Sequence, residues 1–89
     1  MRTYRKGTSE TIRRGIDWSD RLIEGDQIAE SSWTVAQGIT AEDSAFDGTY
    51  ADIDLSGGTV NTTYRLTNEV DTSEGLTYER SFDVIVVDR

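Results

Sequence analysis

The sequence contains no cysteine, no histidine and no proline among its 89 residues. Without cysteine there is neither a disulfide nor a thiolate metal site to tie a small fold together. Without histidine the chain lacks the commonest general base and the commonest metal ligand. No apolar run approaches the ~20 residues that a membrane-spanning helix needs. The first residues are basic but carry no apolar core, so they do not read as a secretory signal. A chain of this length buries roughly 60–65% of its unfolded surface, which predicts one domain with a thin margin of stability.

What is present is unevenly distributed. The net charge is −8. Residues 1–14 nevertheless carry Arg2, Arg5, Lys6, Arg13 and Arg14 against Glu10 alone, while residues 15–89 hold four basic and sixteen acidic side chains. A basic N-terminal arm (1–14) thus precedes an acidic body (15–89). The body repels nucleic acid, so the expected partner of the arm is an acidic protein surface. After Met1 the arm has only Tyr4 and Ile12 as sizeable apolar anchors. Alone it cannot offset the entropy of being ordered. Two readings remain open, a free tail and an arm that orders on a partner.

The clearest pattern lies at the other end. From Thr63 to Val70, Tyr64, Leu66 and Val70 share one phase, and Thr63, Arg65, Thr67 and Glu69 share the other. From Thr77 to Val87, Tyr78, Phe82, Val84 and Val86 fall together. Alternation with period two means two strands, each with one buried and one wet face. Gly75, between them, suits the positive φ of a short closing loop. Upstream, Ile16 and Trp18 alternate with Asp17 as a short strand, and Ser19 or Asp20 opens a single helical turn through Leu22. Gln27 to Val35 reads as a strand with a bulge near Ala29–Glu30, where Ile28 falls out of phase with Trp33 and Val35. Ile39 to Ala45 and Tyr50 to Leu55 flank Asp47-Gly48, a hairpin signal whose two residues tolerate positive φ.

Six to seven short strands with turns about every ten residues predict an all-β fold, a single antiparallel Ig-like β-sandwich with an extended N-terminal arm. The expected core is Trp18, Ile28, Trp33, Val35, Ile39, Ile53, Leu55, Tyr64, Leu66, Val70, Phe82, Val84 and Val86. Tyr64 stands where a tyrosine corner would, its hydroxyl bonded to nearby backbone.

Chemistry is harder to find. Asp52 and Asp54 project from one strand face near Glu42, Asp43 and Asp47. Calcium needs six to eight converging oxygens, and no loop here has that spacing, so a solvated face that guards strand edges is the better reading. Paired carboxylates also serve glycoside hydrolysis, but nothing builds a deep pocket around a pair, and no catalytic residue or cofactor is expected. A sugar-binding platform needs aligned exposed rings. Trp18 and Trp33 fall in core phase, and Tyr50 alone faces outward. Arg80 shares the phase of Tyr78 and Phe82, where it would cap the sandwich end against a carboxylate. The residues offered as partner-binding are Arg2, Tyr4, Arg5, Lys6, Arg13, Arg14 and Tyr50.

The run Ile16-Asp17-Trp18-Ser19-Asp20, then Gly25-Asp26-x-Ile28 and Ser32-Trp33-Thr34-Val35, resembles the opening of a family of small tailed-bacteriophage proteins. So do Leu55-Ser56-Gly57-Gly58-Thr59, Thr62-Thr63-Tyr64-x-Leu66-Thr67-Asn68 and Glu79-Arg80-Ser81. Members are phage structural or fibre–tail adaptor proteins, and the resemblance spans about residues 15–87. It implies an Ig-like, non-enzymatic virion protein assembled in the host cytoplasm and present in multiple copies. It implies contact with tail, head–tail or capsid proteins, while the acidic body excludes nucleic acid and the lack of a long apolar run excludes a membrane as expected partners. Capsid decoration and carbohydrate binding are the competing roles.

Overall fold

The computed structural model describes residues 2–89, and its closing hairpin is the frame on which the rest is built. β6 (Thr63–Thr72) and β7 (Thr77–Val87) pair antiparallel, with Tyr64 opposite Val84, Leu66 opposite Phe82 and Val70 opposite Tyr78. Alternation puts all of these on one face. Gly75, at φ 84°, lies in the connecting loop. β3 (Ile28–Val35) joins the far side of β6, and β1 (Thr3–Gly7) runs parallel to β7, completing a sheet of order β1-β7-β6-β3. The register of β3 slips between Ile28 and Glu30, at the expected bulge. β2 (Ile12–Asp17), β4 (Ile39–Phe46) and β5 (Tyr50–Gly57) form a second sheet of order β2-β5-β4. The two sheets pack as a sandwich, and no helix occurs among the described residues. Backbone bonds from Arg21 and Leu22 to the Trp18 carbonyl make the single turn read at that point.

Trp18, Ile53, Leu55, Leu66, Val70, Val84 and Val86 are fully enclosed. Trp33 and Val35, expected in the core, are half-buried at its margin. Burying the Trp18 indole obliges its N–H to find an acceptor. That acceptor is Asn68 Oδ1 at 2.9 Å, and the Asn68 amide in turn donates to Ser31 Oγ and the Ser32 carbonyl, both at 2.9 Å. The Tyr64 hydroxyl accepts the Thr59 N–H at 2.8 Å, closing the corner before β6.

Two expectations change. Asp47-Gly48 does connect β4 to β5, but neither residue adopts positive φ. The turn is held instead by the Asp47 carboxylate, which accepts the N–H groups of Thr49 and Tyr50 at 2.8 and 2.9 Å. The larger change concerns the N-terminal segment. Residues 2–14, expected as an arm ahead of the sandwich, are laid into it. Thr3–Gly7 pairs along β7, and Ile12–Arg14 pairs with Leu55–Ile53 of β5. The physical reason is an edge: β7 would otherwise present a long row of unpaired backbone groups. Tyr4 and Lys6 sit on the inward side of β1, opposite Val84 and Val86.

Carboxylates tie several turns together. Ser19 N–H donates to Asp17, and the Arg13 side chain forks onto Asp54. Burial works against the Asp26 charge, yet hydrogen bonds from Ser73, Thr72, Gln27 and Glu74 outweigh it and hold that carboxyl below the usual range. Asp17, Asp47 and Asp54 are held low as well, chiefly by bonds from Ser19, Thr49 and Arg13 respectively. A group whose folded pKa is depressed contributes stability above its unfolded pKa, about 3.9 for Asp. That contribution is lost as pH falls through the lower folded value. Asp26→Asn is therefore expected to lower the urea midpoint at pH 7. The gap to the unsubstituted protein should narrow as pH falls below the unfolded value of about 3.9, as protonation removes the difference in charge. A gap independent of pH would show that the charge of Asp26 contributes nothing.

Candidate functional site

A sandwich whose sheets are not closed into a barrel has two open sides. On one, β1 of the larger sheet faces β2 of the smaller. On the other, β3 faces β4. The chemistry of the two sides is opposite.

The β1–β2 side carries arginines laid on aromatic rings. Tyr4, inward on β1, meets Phe82 edge to face, with centroids 5.4 Å apart. The Arg14 guanidinium lies 4.8 Å from the centroid of the Tyr4 ring and that of Arg2 lies 5.7 Å away. Beside this group Trp18 stacks on Tyr78 at 6.2 Å. Arg80 covers the Trp18 ring at 4.9 Å and Arg21 the Tyr78 ring at 4.7 Å. Guanidinium ions are attracted to ring faces and are weakly hydrated, so they stay ordered there while still offering N–H donors outward. Between these groups runs a cleft of about 430 Å³ with Tyr4, Gly15, Ile16 and Phe82 on its walls and Arg2 and Arg80 at its rim. Arg80 is partly committed, donating to the Asp17 carbonyl at 3.4 Å and pairing with Asp20 at 3.5 Å. Arg14 Nε is buried without a partner.

The seven residues picked from sequence do not stay together. Arg2 and Tyr4 line this cleft, and Arg14 lies on the Tyr4 ring beside it. Arg5 projects from the outer face of the four-stranded sheet. Arg13 lies on the outer face of the other sheet, forked onto Asp54 at 2.6 and 3.0 Å. Tyr50 is exposed on that same face, its ring end over Gly15, where a Cβ would come within 2.5 Å of it. Lys6 is fully buried, its Nζ donating to the carbonyls of Gly7 and Gly57, both at 2.8 Å, so it presents no charge to a partner. Sequence reasoning assigned Arg80 a capping role, which its pairing with Asp20 matches. It did not place Arg80 at the cleft or Arg21 on the Tyr78 ring. The phase of Arg80 beside Phe82 was the available signal, whereas Arg21 sits in a turn whose direction no periodicity fixes.

The β3–β4 side holds a cleft of about 380 Å³ with Trp33, Ile53, Glu42 and Asp43 among its walls and no cation. Trp33 Nε1 is buried there without an acceptor. On the outer face of the small sheet Asp43, Asp52 and Asp54 gather around Arg13 in a shallow depression. Among the described residues no group of three or more acidic side chains is placed to hold a metal ion.

Over residues 6–85 the chain matches the model of one protein family, described as podophage GP4 fiber-tail adaptor protein gp77. No curated protein matches it.

Proposed function

Since this chain belongs to the podophage GP4 fiber-tail adaptor family, a family of phage structural proteins, we propose that it is a non-enzymatic connector of the virion. Its arginine-covered side docks on an acidic surface of a neighbouring virion protein. The observation that carries this reading is the gathering of Arg2, Arg14, Arg21 and Arg80 on the rings of one open side, in a chain whose net charge is −8. Arginine and aromatic side chains are the residues that anchor interfaces, and guanidinium forks match carboxylates in pairs. The rest of the surface is acidic and keeps other neighbours off by repulsion.

The strand order supports an Ig-type scaffold. A three-stranded sheet of second, fifth and fourth strands packs on one built from the seventh, sixth and third, with the first strand added to the seventh. The bonded Tyr64 hydroxyl at the start of β6 occupies the place of a tyrosine corner. Such a scaffold holds its edges rigidly, so little ordering entropy opposes docking.

The test is incorporation. Phage carrying Arg2→Glu and Arg14→Glu together are expected to assemble particles that contain at least about tenfold fewer copies of this protein, as befits the loss of interface anchors. The purified variant should keep its β-sheet circular dichroism. Copies per particle are counted by quantitative mass spectrometry. Unchanged copy number in the double variant would overturn the cationic side as the docking face.

A further inference from the structure

The two open sides of the sandwich are complementary in charge and in register. β2 and β4 are the edges of the three-stranded sheet, each paired on one side only, with β5. Both are antiparallel to β5, so they run parallel to each other. Through β5 their residues fall into rows: Arg13–Asp54–Asp43, Arg14–Ile53–Ser44, Gly15–Asp52–Ala45 and Ile16–Ala51–Phe46. A copy set beside another along these rows brings Asp43 next to Arg13, Ser44 next to Arg14 and Phe46 next to Ile16.

The last of those juxtapositions meets a need that the single chain leaves open, and the first adds a carboxylate beside an Arg13 already forked onto Asp54. Phe46 lies in the inward phase of β4, opposite the fully buried Ala51, yet 44% of it is exposed. Ile16, in the same row at the opposite edge, forms a wall of the apolar cleft with Tyr4 and Phe82. β4 is exposed from Thr40 through Phe46 and carries Glu42 and Asp43 with no basic residue, so two such edges repel each other and a β2 edge is the favoured counterpart.

From this we infer that the acidic partner of the cationic side is a second copy of the chain, its β4 edge and Phe46 seated against β2 of the first. The inference rests on the cationic side being a docking face. The contact is heterologous, since each copy offers one edge and accepts on the other, so assembly passes beyond the dimer and ends as a closed ring or continues as a filament.

Light scattering coupled to size exclusion, over a concentration series of the whole protein, tests it. The mass should rise past two chains and fall back with added salt. Phe46→Asp should weaken association by about tenfold or more, as for loss of an aromatic anchor. Glu42→Lys with Asp43→Lys, and separately Arg2→Glu with Arg14→Glu, should each give single chains that retain β-sheet dichroism, and mixing the two proteins should restore association. A mass of one chain throughout, a mass that stops at two, or a mixture that stays dissociated would each overturn the inference. If the unsubstituted protein stays at one chain while Arg2→Glu/Arg14→Glu is still lost from particles, the docking face stands and its occupant is another protein.

Discussion

Deletion of residues 1–14 is expected to leave a chain that does not fold. The charge pattern alone gives the opposite expectation, because a basic segment with two apolar anchors looks dispensable. In the structure that segment supplies the whole of β1 and the first half of β2. Without it Tyr4 no longer covers Phe82, Ile12 no longer sits opposite Leu55, and the enclosed Val84 and Val86 face water along a bare β7. Burial of each large apolar side chain contributes about 1.5–3 kcal/mol. A domain of this length is stable by about 5–13 kcal/mol in total. Losing two such side chains, the Lys6 tether and the pairing of one edge strand removes most or all of that margin. The truncated protein should show no cooperative urea transition and no near-ultraviolet signal from an ordered Trp18. A cooperative transition with ordered tryptophan signal would show that the remaining strands are a domain by themselves. Deletion of Met1 and Arg2 alone, which leaves Thr3–Gly7 in place, should be tolerated, and that contrast separates the loss of β1 from a general effect of shortening.

The reason this part of the fold was hidden in the sequence is instructive about what periodicity measures. Tyr64, Leu66 and Val70, and Phe82, Val84 and Val86 opposite them, announce their strands because a half-buried antiparallel strand writes its environment as alternation. The bulge at Ala29–Glu30 was legible for the same reason, as a change of phase. In β1 the inward positions are Tyr4 and Lys6 and the outward ones Thr3 and Arg5. A lysine in the core phase reads as polar, so the alternation is written in the wrong alphabet and the strand disappears into a charge run. The clefts were hidden for a different reason. Arg2 and Tyr4, Gly15 to Asp17, and Arg80 to Phe82 come from three separate stretches of sequence, and the parallel addition of β1 to β7 brings the first beside the last. Parallel neighbours are joined by long connections, so no local turn signal marks them. Asp47-Gly48 illustrates a third limit. The dipeptide correctly marks a reversal, but the geometry was set by the Asp47 side chain bonding to Thr49 and Tyr50 rather than by backbone torsion.

Lys6 is the residue where these lessons carry the largest effect for a single substitution. Its side chain is fully enclosed, and its ammonium group donates to the Gly7 carbonyl at the end of β1 and to the Gly57 carbonyl at the end of β5. It therefore crosses from one sheet to the other, tying together the ends of strands that no backbone ladder connects. Removing it opposes two costs. Lys6→Ala opens a cavity and leaves two carbonyls without their donor, and is expected to destabilise by about 3–5 kcal/mol. Lys6→Met keeps the stem and its packing but not the donors, so the loss should shrink to about 1–3 kcal/mol. The two variants separate the aliphatic contribution from the polar one in urea unfolding at pH 7. The sign for Met is the informative outcome, because a buried ammonium carries a large desolvation cost that its bonds must outweigh for the lysine to stabilise the fold. If Lys6→Met equals or exceeds the unsubstituted protein in stability, the lysine is not there to stabilise the sandwich. Its role would then be to fix which strand end meets which, and hence the placing of β1 against β7, on which the Tyr4–Phe82 cleft depends.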